Sequence, residues 1–381
     1  EAETIIEGSV DDMGVWPMVF HHPDGTFTGA VKYKTFFTSE YYLAGKDGKL
    51  MKLPLQDSAK LKGYYEGRIL FSLREAWKVG ETTHPQGALL AFDKEAWLTS
   101  GSLPTLETVY VPDERTSIRG VSESKSGLFI TLLQNVRGKV LKFAVDKAGT
   151  WSSTPVDLPT TGAVYIASAN PFEDTLFFSY EDHITPDRLY EYTPSNGALT
   201  VLKSLPARFN SEGLVVNQYE VKSKDGESIP YFIIRKKDTP LNGTTPTILY
   251  GYGGFEIALT PSYSATRGKL WLERGGAYAI ANIRGGGEFG PRWHKAALKE
   301  NRQRAYDDFL SVAQDLIDRQ ITAPKHLGIM GGSNGGLLVG ATIAQRPDLF
   351  GAALPAVGVM DMLRYHTFTI GHAWADDYGR S

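Results

Sequence analysis

The chain has 381 residues, of which 42% are hydrophobic, 22% charged and 12% aromatic, a globular composition with room for two domains. Forty basic residues against 43 acidic ones leave a net charge of −3, so no basic field exists to draw nucleic acid or an anionic membrane surface. No apolar run is long enough to span a bilayer, and the absence of cysteine excludes disulfides, thiolate metal sites and a cysteine nucleophile.

Residues 1–205 read as short strands joined by tight turns. "TSEYYLAGKDGKLMKL" predicts a hairpin turning at Asp47-Gly48, and "DRLYEYTPSNGALTVL" one turning at Asn196-Gly197. Such pairs supply the positive φ that a short hairpin needs. A loose repeat runs through the same region. "SGLFITLLQNVRGKVLKFAVD" resembles "DTLFFSYEDHITPDRLYEY", with Leu128 and Leu141 each falling 48 positions before Leu176 and Leu189. "EGRILFSLREAW" followed by "GALLAFD" looks like an earlier, longer copy. An all-strand repeat of this length suggests propeller blades, with a β-sandwich as the alternative.

The pattern changes after the stretch 206–217, which is the expected linker. "NQYEVKSKDGESIPYFIIRKK" predicts a hairpin at Asp225-Gly226. "TILYGYGG" and "AYAIANIRGGG" are apolar strands ending in glycines. "DDFLSVAQDLIDRQ" puts Phe309, Val312, Ala313, Leu316 and Ile317 on one helical face, with Asp307 and Asp308 at its positive end. "HLGIMGGS" is a strand, "NGGLLVGATIAQ" a helix and "GAALPAVG" a further strand. Alternating strand and helix over 218–381 means an open, doubly wound and mostly parallel α/β sheet.

Ser333 lies within that alternation, in "IMGGSNGGLLVG". It is the centre of a G-x-S-x-G match on a strand-to-helix turn, the context of a nucleophile elbow. The turn forces strained φ/ψ on the serine, so Gly331 and Gly335 at −2 and +2 must lack bulk, and Gly332 and Gly336 add clearance. The N–H of Asn334 opens the following helix and can donate to an oxyanion. The plainer reading is a glycine-rich turn with a passive serine.

A second glycine motif competes. "RGGGEFG" holds Gly285-x-Gly287-x-x-Gly290 after a strand, with Asp307 about 20 residues on. Against a dinucleotide fingerprint stand Glu288 inside the anion cradle, Pro291 directly after it and a helix where a second strand should end. A structural turn with local pairing of Arg284 and Glu288 is expected, and no cofactor. Of the eight histidines, His21 and His22 are adjacent and would face opposite ways in an extended segment, the others are scattered, and no H-E-x-x-H occurs, so no metal site is expected.

"LYGYGGFEIALTPSYSATR", "AIANIRGGGEFGPRWHKAALKENRQRAYDDF" and "GIMGGSNGGLLVGATIAQRPDLFGAALPAVGVMDMLRYHTFTIGHAWADDYG" closely resemble the hydrolase domain of the prolyl oligopeptidase family. The preceding strands resemble that family's propeller more loosely. The resemblance implies an α/β hydrolase plus a propeller, both partial, and a cofactor-free serine endopeptidase cleaving short peptides after proline. It gives Ser333 the nucleophile's place. The Asn334 N–H and the Tyr252 hydroxyl take those of the two oxyanion donors. Phe255, Val359, Trp374 and Tyr378 match the proline-binding S1 pocket, with Trp374 stacking on the ring and Ile370 alongside. A flat apolar ring without an N–H is naturally read by aromatic walls.

One departure stands out. The family's acid and histidine follow the serine, whereas His366 and His372 are the only histidines after Ser333 and both lie in the pocket segment. The resemblance therefore implies an internal piece of a longer enzyme, without a complete triad of its own. A monomer acting on short proline-containing peptides is expected, with no nucleic-acid or membrane partner. A cytoplasmic place is expected and a periplasmic one stays open. Three alternatives remain: an esterase or aminopeptidase on the same scaffold, the sister oligopeptidase that cleaves after Lys and Arg, and a propeller binding protein with a dead hydrolase domain.

Overall fold

The computed structural model describes residues 3–381. Its first half forms four successive four-stranded antiparallel sheets, and its second half one six-stranded sheet. The first sheet is built from Gly14–His22, Gly25–Tyr33, Ser39–Ala44 and Leu50–Lys52, and the second from Lys60–Tyr65, Arg68–Ser72, Leu89–Asp93 and Glu107–Tyr110. The third comprises Thr116–Ser124, Gly127–Gln134, Arg137–Val145 and Trp151–Pro155, and the fourth Ala163–Ser168, Leu176–Glu181, Arg188–Thr193 and Ala198–Ser204. The paired leucines of the repeat, Leu128 with Leu176 and Leu141 with Leu189, occupy the second and third strands of consecutive sheets.

The alternation within these strands decides between propeller and sandwich. In Arg68–Ser72, Ile69 and Phe71 join the core shared with the first sheet, while Leu70 joins the core shared with the third. In Gly127–Gln134, Leu128 and Ile130 face back to the second sheet, and Phe129 faces forward to the fourth. Side chains alternate faces with period two, and both faces here are apolar. A sheet in a two-layer sandwich buries only one face, so these are blades stacked between neighbours. The longer second copy is explained by an inserted hairpin, Trp77–Val79 with Thr82–His84, between the blade's second and third strands.

The six-stranded sheet begins with β1 (Leu214–Lys222) and β2 (Ser228–Lys236), which turn at Asp225-Gly226. It continues with β3 (Thr247–Tyr250), β4 (Ala277–Ala281), β5 (Leu327–Gly332) and β6 (Ala352–Ala356). Spatial order is β1-β2-β4-β3-β5-β6, antiparallel as far as β4 and parallel from β4 to β6. Helix α1 (Gln303–Asp318) lies between β4 and β5 in the chain, and α2 (Asn334–Gln345) between β5 and β6. The helix was expected to start at Asp307-Asp308. It starts a turn earlier, and Asp308 is fully buried. Phe309, Val312, Ala313 and Leu316 are buried as the apolar stripe required, with Ile317 packed beside them. Strands β3 and β5 are adjacent and parallel, so Tyr252 just beyond one and Ser333 just beyond the other emerge at the same edge.

Candidate active site

Ser333 sits between β5 and α2 with φ 55 and ψ −116, its side chain exposed while Asn334 beside it is fully buried. A non-glycine residue rarely adopts positive φ, and the surroundings must hold it there. They do so with backbone. The Ser333 N–H donates to the Ala356 carbonyl at 2.9 Å, and the Ser333 carbonyl accepts from Gly336 and Leu337. A Cβ on Gly331 would stand 2.4 Å from the Gly335 carbonyl oxygen, and one on Gly335 would stand 2.6 Å from that of Gly251. Gly332, expected to give clearance as well, is not sterically required, since its nearest neighbour would be at 3.9 Å.

Asn334 is the first residue of α2, so its N–H has no acceptor within the helix. Its side chain is tied on both ends. Nδ2 donates to the Tyr252 carbonyl, while Oδ1 accepts from the Tyr378 hydroxyl at 2.9 Å and from the Arg302 guanidinium. Burial raises the Tyr252 phenol above its ordinary value, partly offset by the neighbouring Ser333 side chain. The hydroxyl thus stays protonated and able to donate. Together the N–H and the phenol form a pair of donors beside an exposed hydroxyl, the composition of an oxyanion site.

The expected pocket residues divide. Phe255, also at positive φ (55), packs edge-on against Tyr378 with centroids 5.5 Å apart. Trp374 lies parallel to Tyr365 at 6.4 Å, and Tyr365 meets Tyr378 at 5.4 Å. Val359 is half-buried, whereas Ile370 is 50% exposed and joins no apolar cluster among the described residues.

A buried polar network beneath these rings escaped the sequence reading. Asp377, fully buried, accepts from the Phe255 N–H at 3.0 Å, from His294 Nε2 at 2.7 Å and from Arg302 Nη1 at 2.9 Å. His294 Nδ1 lies 2.6 Å from Nη2 of Arg74, which comes from the second blade, and Arg74 also pairs with Glu256. Arginine has only donors, so Nδ1 is the acceptor and Nε2 carries the proton. These residues are scattered over three hundred positions, and the only local signal was the acidic pair before Tyr378. Neither downstream histidine hydrogen-bonds Ser333 among the described residues. His372 Nδ1 faces the Thr369 carbonyl, and His366 Nδ1 is buried without a partner.

The rival glycine turn also resolves. Arg284 does not pair with Glu288, as expected from sequence, but with Asp308 at 2.6 Å and Asp225 at 2.6 Å. Glu288 is buried, with Oε1 accepting from the Leu259 N–H and Asn282 and Oε2 unpartnered. The side chain points into the protein, where an anion cradle would need open space.

The Prolyl oligopeptidase family profile matches residues 261–381, and that of the prolyl oligopeptidase N-terminal beta-propeller domain matches 92–205. The chain belongs to the prolyl oligopeptidase family. An uncharacterized peptidase of Sinorhizobium fredii is 42% identical over all of this chain and 53% of its own length. A prolyl endopeptidase of Elizabethkingia meningoseptica is 42% identical over 59% of this chain and 32% of its own length. The solved structure of a post-proline cleaving enzyme from Rickettsia typhi, 33% identical, superposes with a TM-score of 0.91 over 99% of this chain and 55% of that one. The chain thus spans about half the length of these whole-chain matches. Like the prolyl oligopeptidases it resembles, it joins propeller blades to an α/β-hydrolase sheet. No helix among the described residues is long and apolar enough to cross a membrane.

Proposed function

We propose that this protein is a serine endopeptidase that hydrolyses short peptides on the carboxyl side of proline. The observation that carries the reading is the exposed Ser333 hydroxyl at positive φ, beside the Tyr252 phenol and the free N–H of Asn334. Ser333 Oγ attacks the scissile carbonyl, and a general base takes its proton. Neither downstream histidine bonds Ser333 among the described residues, and the reading assigns no base or orienting acid within them. Tyr252 and the Asn334 N–H hold the developing oxyanion, each worth about 3 kcal/mol of barrier. The base then returns the proton to the leaving amine, and water releases the acyl group by the same steps.

Phe255, Val359, Ile370, Trp374 and Tyr378 form the proline pocket in this reading, with Trp374 against the ring. The names of the Elizabethkingia and Rickettsia relatives support proline as the residue read. Residues 1–205 are the propeller part in this reading; the linker expected at 206–217 is shortened to 206–213, because strand β1 of the catalytic part already begins at Leu214. The reading takes the protein as a cytoplasmic monomer, which sedimentation and cell fractionation check.

The deciding experiment compares kcat/KM for a proline and an alanine peptide in the full-length enzyme and its Trp374→Ala variant. Loss of the aromatic contact should cut the proline preference by about 10- to 200-fold, while the alanine peptide changes less. A constant ratio with both values lowered would make Trp374 a structural prop. A wild type preferring Lys or Arg would overturn the proline assignment.

A further inference from the structure

A cavity of about 420 Å³ lies where the second and third blades meet the loops of the hydrolase sheet. Lys60, Lys62, Thr116 and Arg119 line it from the blades, and Glu256 and Gly287 from the sheet. Its charges are unevenly paired. Glu256 is engaged by Arg74 and lies 3.8 Å from Lys60. Arg292, at the rim, lies 3.8 Å from Glu227 and donates to the Glu114 carbonyl. Asp113, also lining the cavity with Glu114, caps the N–H of Arg115. Lys62 and Arg119 have no ion pair among the described residues, and neither do the carboxylates of Asp113 and Glu114.

Lys62 is half-buried, and burial together with Lys60 and Arg119 presses its ammonium down to about 8, with Glu256 opposing. Lys60, Lys62 and Arg119 form a like-charge cluster on the blade side of the cavity, which is unfavourable in a partly desolvated place unless an opposite charge comes close. An independent feature points the same way. Thr116 is buried, lines the same cavity, and its Oγ1 has no hydrogen-bond partner among the described residues. A buried hydroxyl left without a partner carries a desolvation cost that an incoming acceptor would remove.

We infer that this cavity binds a carboxylate of the peptide substrate, with Lys62 and Arg119 as counter-charges and the Thr116 hydroxyl as donor. The inference rests on the peptidase reading, because Glu256 on the cavity wall directly follows Phe255 of the proposed proline pocket. The carboxylate can be a C-terminus or a Glu or Asp side chain.

The test uses the full-length enzyme at low ionic strength and hexapeptides with one central proline. One peptide ends in a free carboxylate. Two are amidated and carry Glu two residues before or after the proline, and a neutral one is amidated with Gln at both places. At least one anionic peptide should have a kcat/KM about tenfold above the neutral peptide, and the peptide that gains identifies the source. Lys62→Met and Arg119→Gln should each remove most of that gain and leave the neutral peptide within about twofold, while Lys62→Arg keeps the gain. Equal values for all four peptides, or a gain that survives both neutral substitutions, would overturn the inference. Failure to cleave even the neutral peptide would instead count against the peptidase reading. Direct binding of the same peptides to wild type and Lys62→Met then decides the cavity: affinity for the anionic peptides unchanged by the substitution refutes it, and selective loss supports it.

Discussion

The turn after β5 holds a hydroxyl outside the protein and the turn after β4 holds a carboxylate inside it, although both are glycine-rich and both strands pair with β3. In each, the glycines answer the same demand. A Cβ on Gly331 would stand 2.4 Å from the Gly335 carbonyl oxygen, and one on Gly285 would stand 2.3 Å from that of Gly253. Glycine spacing therefore reports where backbones touch and leaves the chemistry open. What separates the turns is the next residue. After Ser333 the chain enters α2 at once, which leaves the Asn334 N–H at the helix start beside the hydroxyl. After Glu288 it passes through Phe289 and Gly290 to a five-residue helix, and the carboxylate folds back into the core.

The largest expected effect breaks the exposed turn. Ser333→Ala in the full-length enzyme should lower kcat on the order of 10⁶-fold and abolish covalent labelling by a fluorophosphonate. A labelled peptide containing another serine would transfer the nucleophile's role there.

The inner turn should respond in stability instead. Arg284 donates to Asp308 through Nε at 2.9 Å and Nη2 at 2.6 Å, and Asp308 is fully buried. Arg284→Met leaves that carboxylate charged and without its counter-ion, which should cost about 3–5 kcal/mol. The shift of the urea midpoint measures it. A loss below about 1 kcal/mol would mean that Asp308 takes up a proton cheaply or finds solvent.

Tyr252→Phe returns to the outer turn with a somewhat smaller effect. The hydroxyl meets charge that exists only in the transition state, so kcat should fall by about 10²–10³ with KM little changed. A change confined to KM would move Tyr252 to ground-state binding.

These contrasts also mark what the sequence could carry. Leu128 and Leu176 announced the blades because strand alternation is local and repeats. Ser333 was legible because the elbow is one contiguous turn between a strand and a helix. The Arg74–His294–Asp377–Arg302 chain was not, since its members come from a blade, a short helix, a helix start and the last turn. Apart from the acidic pair before Tyr378, nothing in their local context distinguishes them from surface charges. The Arg284 partner was misjudged for the same reason. Glu288 is four residues away and exposed-looking in sequence, but Asp308 on α1 faces the guanidinium across the fold.

Glu288 gives the smallest expected effect and the sharpest sign. Burial lifts its carboxyl from 4.5 to about 7, against the opposing hydrogen bonds from the Leu259 N–H and Asn282. The unfolded chain loses this proton near the ordinary value, while the folded protein keeps it until about 7. Between those limits the folded state binds more protons, so the contribution is complete below the lower value and is lost as pH rises through the upper one. The loss should be on the order of 2–3 kcal/mol. Glu288→Gln mimics the protonated acid in shape and has no proton to lose. Urea unfolding at pH 5 and pH 8 should therefore find the variant close to wild type at the lower pH and more stable at the higher. Other groups titrate over the same range, but they do so equally in both proteins, and the difference between the two isolates Glu288. Identical pH slopes would mean that the buried carboxylate is ionised throughout, held by a donor at Oε2.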